Sequence, residues 1–232
     1  MPGPLDYTIW LICTLLEGAV VVCALKTHSF RRYFFLNMYM GSSVLATIGR
    51  FQVLHRWGLS SPEYAYYYFY SDALLTIGLY FALLNLYSLV FDEMKVERYL
   101  RLGAVVLLGG TAWFSYAVIS QSSHRILSHF AFELQQNLFF VGLVLTYLLW
   151  GAILKLRETR TRLIQLVLSL GVYFSAIAAD YALRNLSPNL QTVWQYTMPL
   201  LACLLPAAWT YSLLRVSEEA RLAPSRLAAV PR

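Results

Sequence analysis

Between Tyr66 and Val90 the chain reads YYYFYSDALLTIGLYFALLNLYSLV, in which Asp72 is the one charged side chain. A helix needs about 20 mostly apolar residues to cross the hydrocarbon core of a bilayer, and this stretch exceeds that length. Its aromatic residues crowd the beginning, as is typical of the boundary between lipid headgroups and hydrocarbon. The stretch therefore predicts a transmembrane helix, and it decides the fold class.

The rest of the chain has the same character. Hydrophobic residues make up 59% of the sequence and charged residues 13%, whereas roughly a quarter of the residues of a soluble domain are charged. This composition predicts an all-α bundle of seven transmembrane helices, forming a single membrane domain over residues 1–215. Residues 216–232 are expected to be a short cytoplasmic tail, too small for a kinase or cyclase domain. The predicted spans are Tyr7–Leu25, Tyr33–Leu54, Tyr66–Val90, Leu102–Ile119, Ile126–Leu154, Leu163–Leu183 and Leu190–Leu214.

The distribution of Lys and Arg predicts the orientation. Fourteen of the 18 lie in the first, third and fifth loops and the tail, and four lie in or beside the other loops. Positively charged loops are retained in the cytoplasm. The protein is expected in the inner (plasma) membrane, with its N-terminus outside the cytoplasm and its C-terminus in the cytoplasm. Because the net charge of +6 is clustered in short loops, anionic lipid at the cytoplasmic face is the predicted partner, and not nucleic acid.

The three cysteines give no framework signal. Cys13, Cys23 and Cys203 lie inside apolar stretches and have no CxxC spacing. We therefore expect them to be packing residues that form neither disulfides nor a zinc site.

The first three and last three spans share landmarks, a pattern found in transporters that arose by duplication. Because the fourth span separates the halves, the pattern predicts a parallel 3+1+3 layout. Apolar sequence also produces such matches by coincidence, so both explanations stay open. The matched positions are Lys26 and Lys155, Gly41 and Gly171, Arg50 and Asp180, Ser61-Pro62 and Ser187-Pro188, Tyr70 and Tyr196, and Tyr87–Leu89 and Tyr211–Leu213.

With these landmarks the layout loosely resembles PQ-loop and sugar-efflux carriers, and more loosely rhodopsin-like receptors. The chain departs from both, because it has no Pro-Gln pair and no lysine in the seventh span for a retinal Schiff base. Over its whole length it resembles uncharacterised bacterial multi-pass membrane proteins, which implies the fold but no activity.

Ionisable residues inside a span are costly and mark candidate functional positions. Glu17 is predicted to lie near the middle of the first span. The other four are predicted to lie in the outer half of the bundle: Arg50, Asp72, Glu133 and Asp180. Arg50 is expected to pair with Asp72 or Glu133, and Asp180 with Arg184 in a structural contact. On the fifth span, four polar residues share one helical face that is expected to point into the bundle. The predicted ligand-binding set is Arg50, Asp72, His129, Glu133, Gln136, Asn137, Asp180 and Gln195.

Several chemistries lack a sequence signal. His129 and Glu133 have the spacing of two metal ligands on one helix, but no HExxH motif accompanies them. No nucleophile elbow or glycine-rich phosphate loop occurs, so we expect neither a cofactor nor an enzyme.

Three functions remain. The leading hypothesis is a sensor or binding subunit with an outward-facing polar pocket that acts through a partner protein. The second is a small-solute transporter built from two three-helix repeats, and the third is a structural subunit of a membrane complex. Pro199 and Pro206 are expected to kink or break the seventh span, and the third span has no matching proline, which favours the sensor.

Overall fold

The computed structural model describes residues 4–91, 97–120, 126–156, 158–186 and 191–221. Each of the seven predicted spans corresponds to one helix, with ends that differ by a few residues. The predicted tail beyond Arg221 lies outside the described residues. The helices are α1 (Pro4–Lys26), α2 (Phe34–Trp57), α3 (Pro62–Val90), α4 (Glu97–Ser120), α5 (Ile126–Lys155), α6 (Thr161–Leu186) and α7 (Gln191–Arg215).

Five of these helices, α1, α3, α5, α6 and α7, contain stretches long and apolar enough to cross a membrane. This agrees with a multi-pass membrane protein. In α4 the apolar stretch covers only Val105–Ala117, which is shorter than a bilayer crossing needs. Helix α2 carries Arg50, His55 and Arg56 in its last two turns and is less apolar than the five. Seven crossings therefore remain a prediction.

The turn between α2 and α3 shows why the two helices run antiparallel. Helix α2 ends where Gly58 adopts a φ of 82°, in the left-handed region that glycine tolerates. Helix α3 then begins with Pro62 in its first turn, and the Ser61 side chain accepts a hydrogen bond of 3.1 Å from the backbone N–H of Tyr64. This is a typical helix start, and it fixes the chain reversal within four residues.

Six helices form a closed ring in the order α1, α2, α3, α5, α6, α7, because each contacts the next and α7 contacts α1. Helix α4 lies outside the ring and packs on α5 and α3. In this ring α1 occupies the position opposite α5, α2 opposite α6, and α3 opposite α7.

The ring has two unlike ends. We call the end that holds the α1–α2 and α5–α6 connections the inner end, and the opposite one the outer end. Much of the apolar core lies within two turns of the inner end, where Leu36, Leu86, Leu149, Leu166 and Trp209 are fully buried. Side chains packed in this way fill the space between the helices at the inner end.

Glycines let α5 and α6 approach closely. A methyl group added at Gly142 would lie 2.6 Å from the ring of Phe174, and one at Gly171 would overlap Trp150 and Thr146. Both helices therefore need a residue without a side chain at these contacts, as small residues commonly allow in membrane bundles.

The prediction for the cysteines was wrong in part. Cys13 on α1 and Cys203 on α7 form a disulfide, with Cα atoms 4.9 Å apart, whereas Cys23 is free and buried. The two residues are 190 positions apart in sequence, and only closure of the ring brings α1 against α7. Spacing along the chain carries no trace of such a pair. Helix α7 also runs through Pro199 and Pro206 as one helix, so neither proline breaks it.

Candidate functional site

A cluster of charged and polar side chains joins α2, α3 and α5 in the outer half. Arg50 donates a hydrogen bond of 3.0 Å from Nη2 to Asp72 Oδ1 and one of 2.9 Å from Nε to Ser71 Oγ. Gln135 on α5 donates its amide to the other oxygen, Asp72 Oδ2. The guanidinium of Arg50 also lies 4.5 Å from the ring centre of Tyr68. We call these five residues the Arg50 cluster.

The electrostatics of the Arg50 cluster follow from its partial burial. The side chain of Arg50 is 11% exposed and that of Asp72 is 23% exposed. An arginine keeps its charge at all ordinary pH values, so at this depth it needs a carboxylate partner. The predicted pairing of Arg50 with one of two carboxylates is confirmed for Asp72. A carboxylate of a ligand would meet the positive charge of Arg50 here, and an ammonium group would meet the negative charge of Asp72.

A second, smaller cluster joins α6 and α7. The carboxylate of Asp180, with only 3% of its side chain exposed, forms an ion pair of 2.7 Å with Arg184 one turn later. Thr197 on α7 donates a hydrogen bond of 2.7 Å to Asp180 Oδ1. The predicted pairing of Asp180 with Arg184 is confirmed, and Thr197 ties that pair to the next helix.

The two clusters use matched positions of the sequence. Arg50 and Asp180 were paired as landmarks of the two halves, and each bonds a hydroxyl on the following helix of its half. The two hydroxyl residues, Ser71 and Thr197, each come directly after a matched tyrosine. The two contacts are of opposite chemistry, because Ser71 accepts from a guanidinium and Thr197 donates to a carboxylate.

Polar groups continue deeper into the bundle. Glu17 on α1 accepts a hydrogen bond of 2.6 Å from Ser43 on α2. Its other oxygen, Oε2, is buried and has no hydrogen-bond partner within the described part of the chain. Tyr39 on α2 hydrogen-bonds Tyr173 on α6 near the same level. These side chains lie between the polar clusters of the outer half and the apolar core near the inner end.

The predicted polar face of α5 is turned differently in the structure. Asn137 donates a hydrogen bond of 3.0 Å to Ser115 on α4, so it faces the helix outside the ring. Glu133 and Gln136 are half-buried. The residue of α5 that bonds the charged pair is Gln135, which the sequence analysis missed.

A signal for Gln135 was present in the sequence. It begins a stripe at alternating steps of four and three residues that continues through Phe139, Gly142, Thr146, Leu149 and Ile153. Phe139, Leu149 and Ile153 of this stripe belong to the core cluster. The ring-facing side of a helix follows such a stripe, and the polar set lay on the other side.

Two predicted ligand-binding positions cannot be placed. The side chains of His129 and Gln195 lie outside the described residues. Within the residues that are described, no group of three His, Cys, Asp or Glu side chains could hold a metal ion.

The inner end carries a network that the sequence did not predict. Arg162, at the start of α6, is 6% exposed and donates hydrogen bonds of 2.8 Å to Ser29 Oγ and 2.7 Å to Glu218 Oε2. Its Nε donates to the carbonyl oxygen of Val216 at 2.8 Å, and the Tyr33 hydroxyl donates to Glu218 at 3.2 Å. We call these five residues the inner clasp. It joins the α1–α2 connection, α6 and the segment after α7.

A neighbouring pair supports the α5–α6 connection. Glu158 accepts hydrogen bonds from the side chain and backbone of Arg160, and the side-chain bond holds the pKa of Glu158 below its usual value. Arg160 also donates to the carbonyl oxygen of Leu89 at the end of α3, at 2.8 Å. The loop is thereby tied to a third helix.

No protein-family model, curated protein or solved structure matches the chain.

Proposed function

We propose that this protein is a membrane sensor or binding subunit that takes a small polar ligand at the Arg50 cluster and passes a signal to a partner protein. The observation that carries the proposal is the contrast between the two halves of the ring. An ion pair between α2 and α3, bonded by an amide from α5, lies in the outer half, and a tightly packed apolar core lies near the inner end. Membrane-embedded charges usually mark a ligand or ion site.

The ligand class follows from the cluster. The Arg50 guanidinium favours carboxylates, and Asp72 favours ammonium groups or hydrogen-bond donors. A free amino acid carries both groups, so it suits this pair of charges. Binding would exchange the Arg50–Asp72 contact for two contacts with the ligand.

The inner clasp offers a route for the signal. Arg162 links α6 directly to the segment after α7, which on the predicted orientation lies in the cytoplasm. A shift of α6 or α7 would change the position of that segment. Basic loops at the same end would meet anionic lipid headgroups, as the charge distribution predicts.

A small-solute carrier is the second candidate. The ring order α1, α2, α3, α5, α6, α7 is the order that two parallel three-helix units would give, and the matched Arg50 and Asp180 links fit such units. A carrier must open alternately to both sides. It would have to separate the apolar core of the inner half and the inner clasp in every cycle.

Thiol accessibility tests this proposal. Ser71 and Ser88 both lie on α3, and each hydroxyl donates to a backbone carbonyl of the preceding turn, which makes them matched positions. With Cys23 replaced by Ala, Ser71→Cys and Ser88→Cys are exposed to a small charged thiol reagent on intact cells. We expect Ser71→Cys to react and Ser88→Cys to remain unmodified. We also expect one member of a panel of free amino acids to slow the reaction of Ser71→Cys severalfold.

The other outcomes are equally informative. If Ser88→Cys also reacts, and substrate changes its rate, the carrier replaces the sensor. If neither position reacts, the Arg50 cluster is sealed, and a ligand site there is ruled out.

A further inference from the structure

A groove of about 740 Å³ lies between α2 and α3, on the side of these helices that faces away from the centre of the ring. Its opening faces the surrounding hydrocarbon, and its lining includes Tyr39 and Ser71, which also bond polar groups of the ring interior. Leu45 on α2 and Leu74 on α3 line it, and they are 70% and 69% exposed. Phe35 and Phe81, with ring centres 6.0 Å apart, line the part of the groove that is nearest to the inner end of the ring. The groove shares Ser71 with the Arg50 cluster, and the other four residues of that cluster do not line it.

The apolar part of the groove can hold part of one acyl chain. The groove follows α3 from Glu63 to Phe81, and beyond Ser71 its lining on α3 is apolar, from Leu74 to Phe81. At about 1.5 Å per residue, the distance from Leu74 to Phe81 is about 10 Å. Half of the hydrocarbon core of a bilayer is about 15 Å thick. The apolar part therefore contacts about two thirds of an extended acyl chain of one leaflet.

The other end of the groove is acidic and aromatic. Glu63, Tyr66 and Tyr70 line it, and the rings of Tyr66 and Tyr70 stack with centres 6.4 Å apart. The carboxylate of Glu63 attracts a cation. It repels a headgroup whose phosphate is not balanced by a positively charged group. Aromatic faces next to a carboxylate favour an ammonium group through cation–π attraction.

We propose that this groove binds a bilayer lipid with an ammonium headgroup, with one acyl chain between α2 and α3 and the ammonium group against Glu63. The charge of Glu63 selects the headgroup, and the apolar part of the groove holds the chain. The site differs from the basic loops of the inner end, which favour anionic lipid. It also does not depend on the function proposed for the Arg50 cluster.

Photo-crosslinking of the full chain in proteoliposomes tests this proposal. The probe is a phosphatidylethanolamine with a diazirine in its acyl chain, and phosphatidylglycerol with the same chains is the comparison. We expect the ethanolamine lipid to label peptides of α2 and α3 at least threefold more than the glycerol lipid. In Glu63→Gln that preference should be lost.

Two glycine variants separate the groove from the general lipid surface. A methyl group at Gly78, which lines the groove, would lie 3.6 Å from Tyr39, an ordinary contact, so the position accepts a Cβ atom and Gly78→Leu places a larger side chain in the groove. Gly151 on α5 is exposed, and a methyl group there meets nothing within 4 Å, so Gly151→Leu is the matched control. We expect Gly78→Leu to reduce labelling of α2 and α3 at least fivefold and Gly151→Leu to leave it unchanged.

Three results would overturn the proposal. Equal labelling by the two lipids would remove the headgroup preference. Even labelling of all exposed helices, unchanged in Gly78→Leu, would show ordinary surrounding lipid. Efficient disulfide cross-linking between two copies of Leu74→Cys would show that a second copy covers the groove.

Discussion

Arg50 shows what single residues in a membrane span reveal and what they leave open. Its permanent charge made a carboxylate partner predictable from sequence, because an unpaired guanidinium at that depth is costly. The choice between Asp72 and Glu133 depended on how α5 is rotated about its axis, which the sequence pattern misjudged. The same rotation accounts for Gln135, a neutral residue that no charge argument would select. Residue-level reasoning therefore predicted the ion pair but not its third member.

The ion pair can be tested by a double-mutant cycle. Arg50→Leu leaves Asp72 buried without its main partner, and removing one member of a buried pair is strongly destabilising. Because Asp72 is 23% exposed, we expect a loss of about 2 to 4 kcal/mol, at or below the range for fully buried pairs. Adding Asp72→Asn should recover part of this loss, with a coupling of about 0.5 to 3 kcal/mol. Unfolding of the purified protein in detergent measures all four forms.

Arg56→Leu is the control for that cycle. Arg56 is exposed and lies over the ring of Trp57, so its loss should change stability by less than about 0.5 kcal/mol. Simple additivity of Arg50→Leu and Asp72→Asn would contradict the pair. Arg184→Leu is not a mild comparison, because it strips the ion-pair partner from the 3% exposed carboxylate of Asp180.

At the scale of elements, the lengths of the helices were predictable and their contacts were not. Apolar run length predicted seven helices, because a bilayer imposes one length on every span. Which face of α5 meets α6, and that α7 lies beside α1, depends on shape at contacts such as Gly142 with Phe174. The disulfide of Cys13 with Cys203 follows from the second of these contacts, so it could not be predicted from either helix alone.

Gly142 provides a test of the contact between α5 and α6. The added methyl group of Gly142→Ala would lie 2.6 Å from the ring of Phe174, which is itself buried, so the ring or the helices must shift. Overpacking of this kind typically costs about 1 to 3 kcal/mol. Gly151→Ala meets no atom within 4 Å and should be neutral or slightly stabilising, because alanine favours helix by up to about 1 kcal/mol. Thermal unfolding in detergent compares the two variants, and equal melting temperatures would argue against the close approach.

At the scale of the whole molecule, the structure gives the charge distribution a geometry. The inner clasp brings Ser29, Arg162 and Glu218 together, so the α1–α2 connection, the start of α6 and the segment after α7 lie at one end. The positive-inside argument had assigned these same loops to one side from counts of Lys and Arg alone. The two-sided arrangement was therefore predictable, whereas the ring order and the position of α4 required three-dimensional packing.

The orientation of this two-ended ring in the membrane is the last prediction. Helices α1 and α7 both end at the inner end, where the basic loops lie, and such loops are retained in the cytoplasm. A reporter fused after Arg232 should therefore be active only in the cytoplasm, and a tag before Met1 should react with an impermeant reagent on intact cells. A cysteine at Ser60, in the α2–α3 turn, should label from outside, and one at Thr27 should label only after the cells are opened. If both termini label on the same side, α2 or α4 does not cross the bilayer, and the number of crossings is even. If the C-terminus is outside and the N-terminus inside, the seven crossings stand, but the Arg50 cluster faces the cytoplasm and must serve an intracellular ligand.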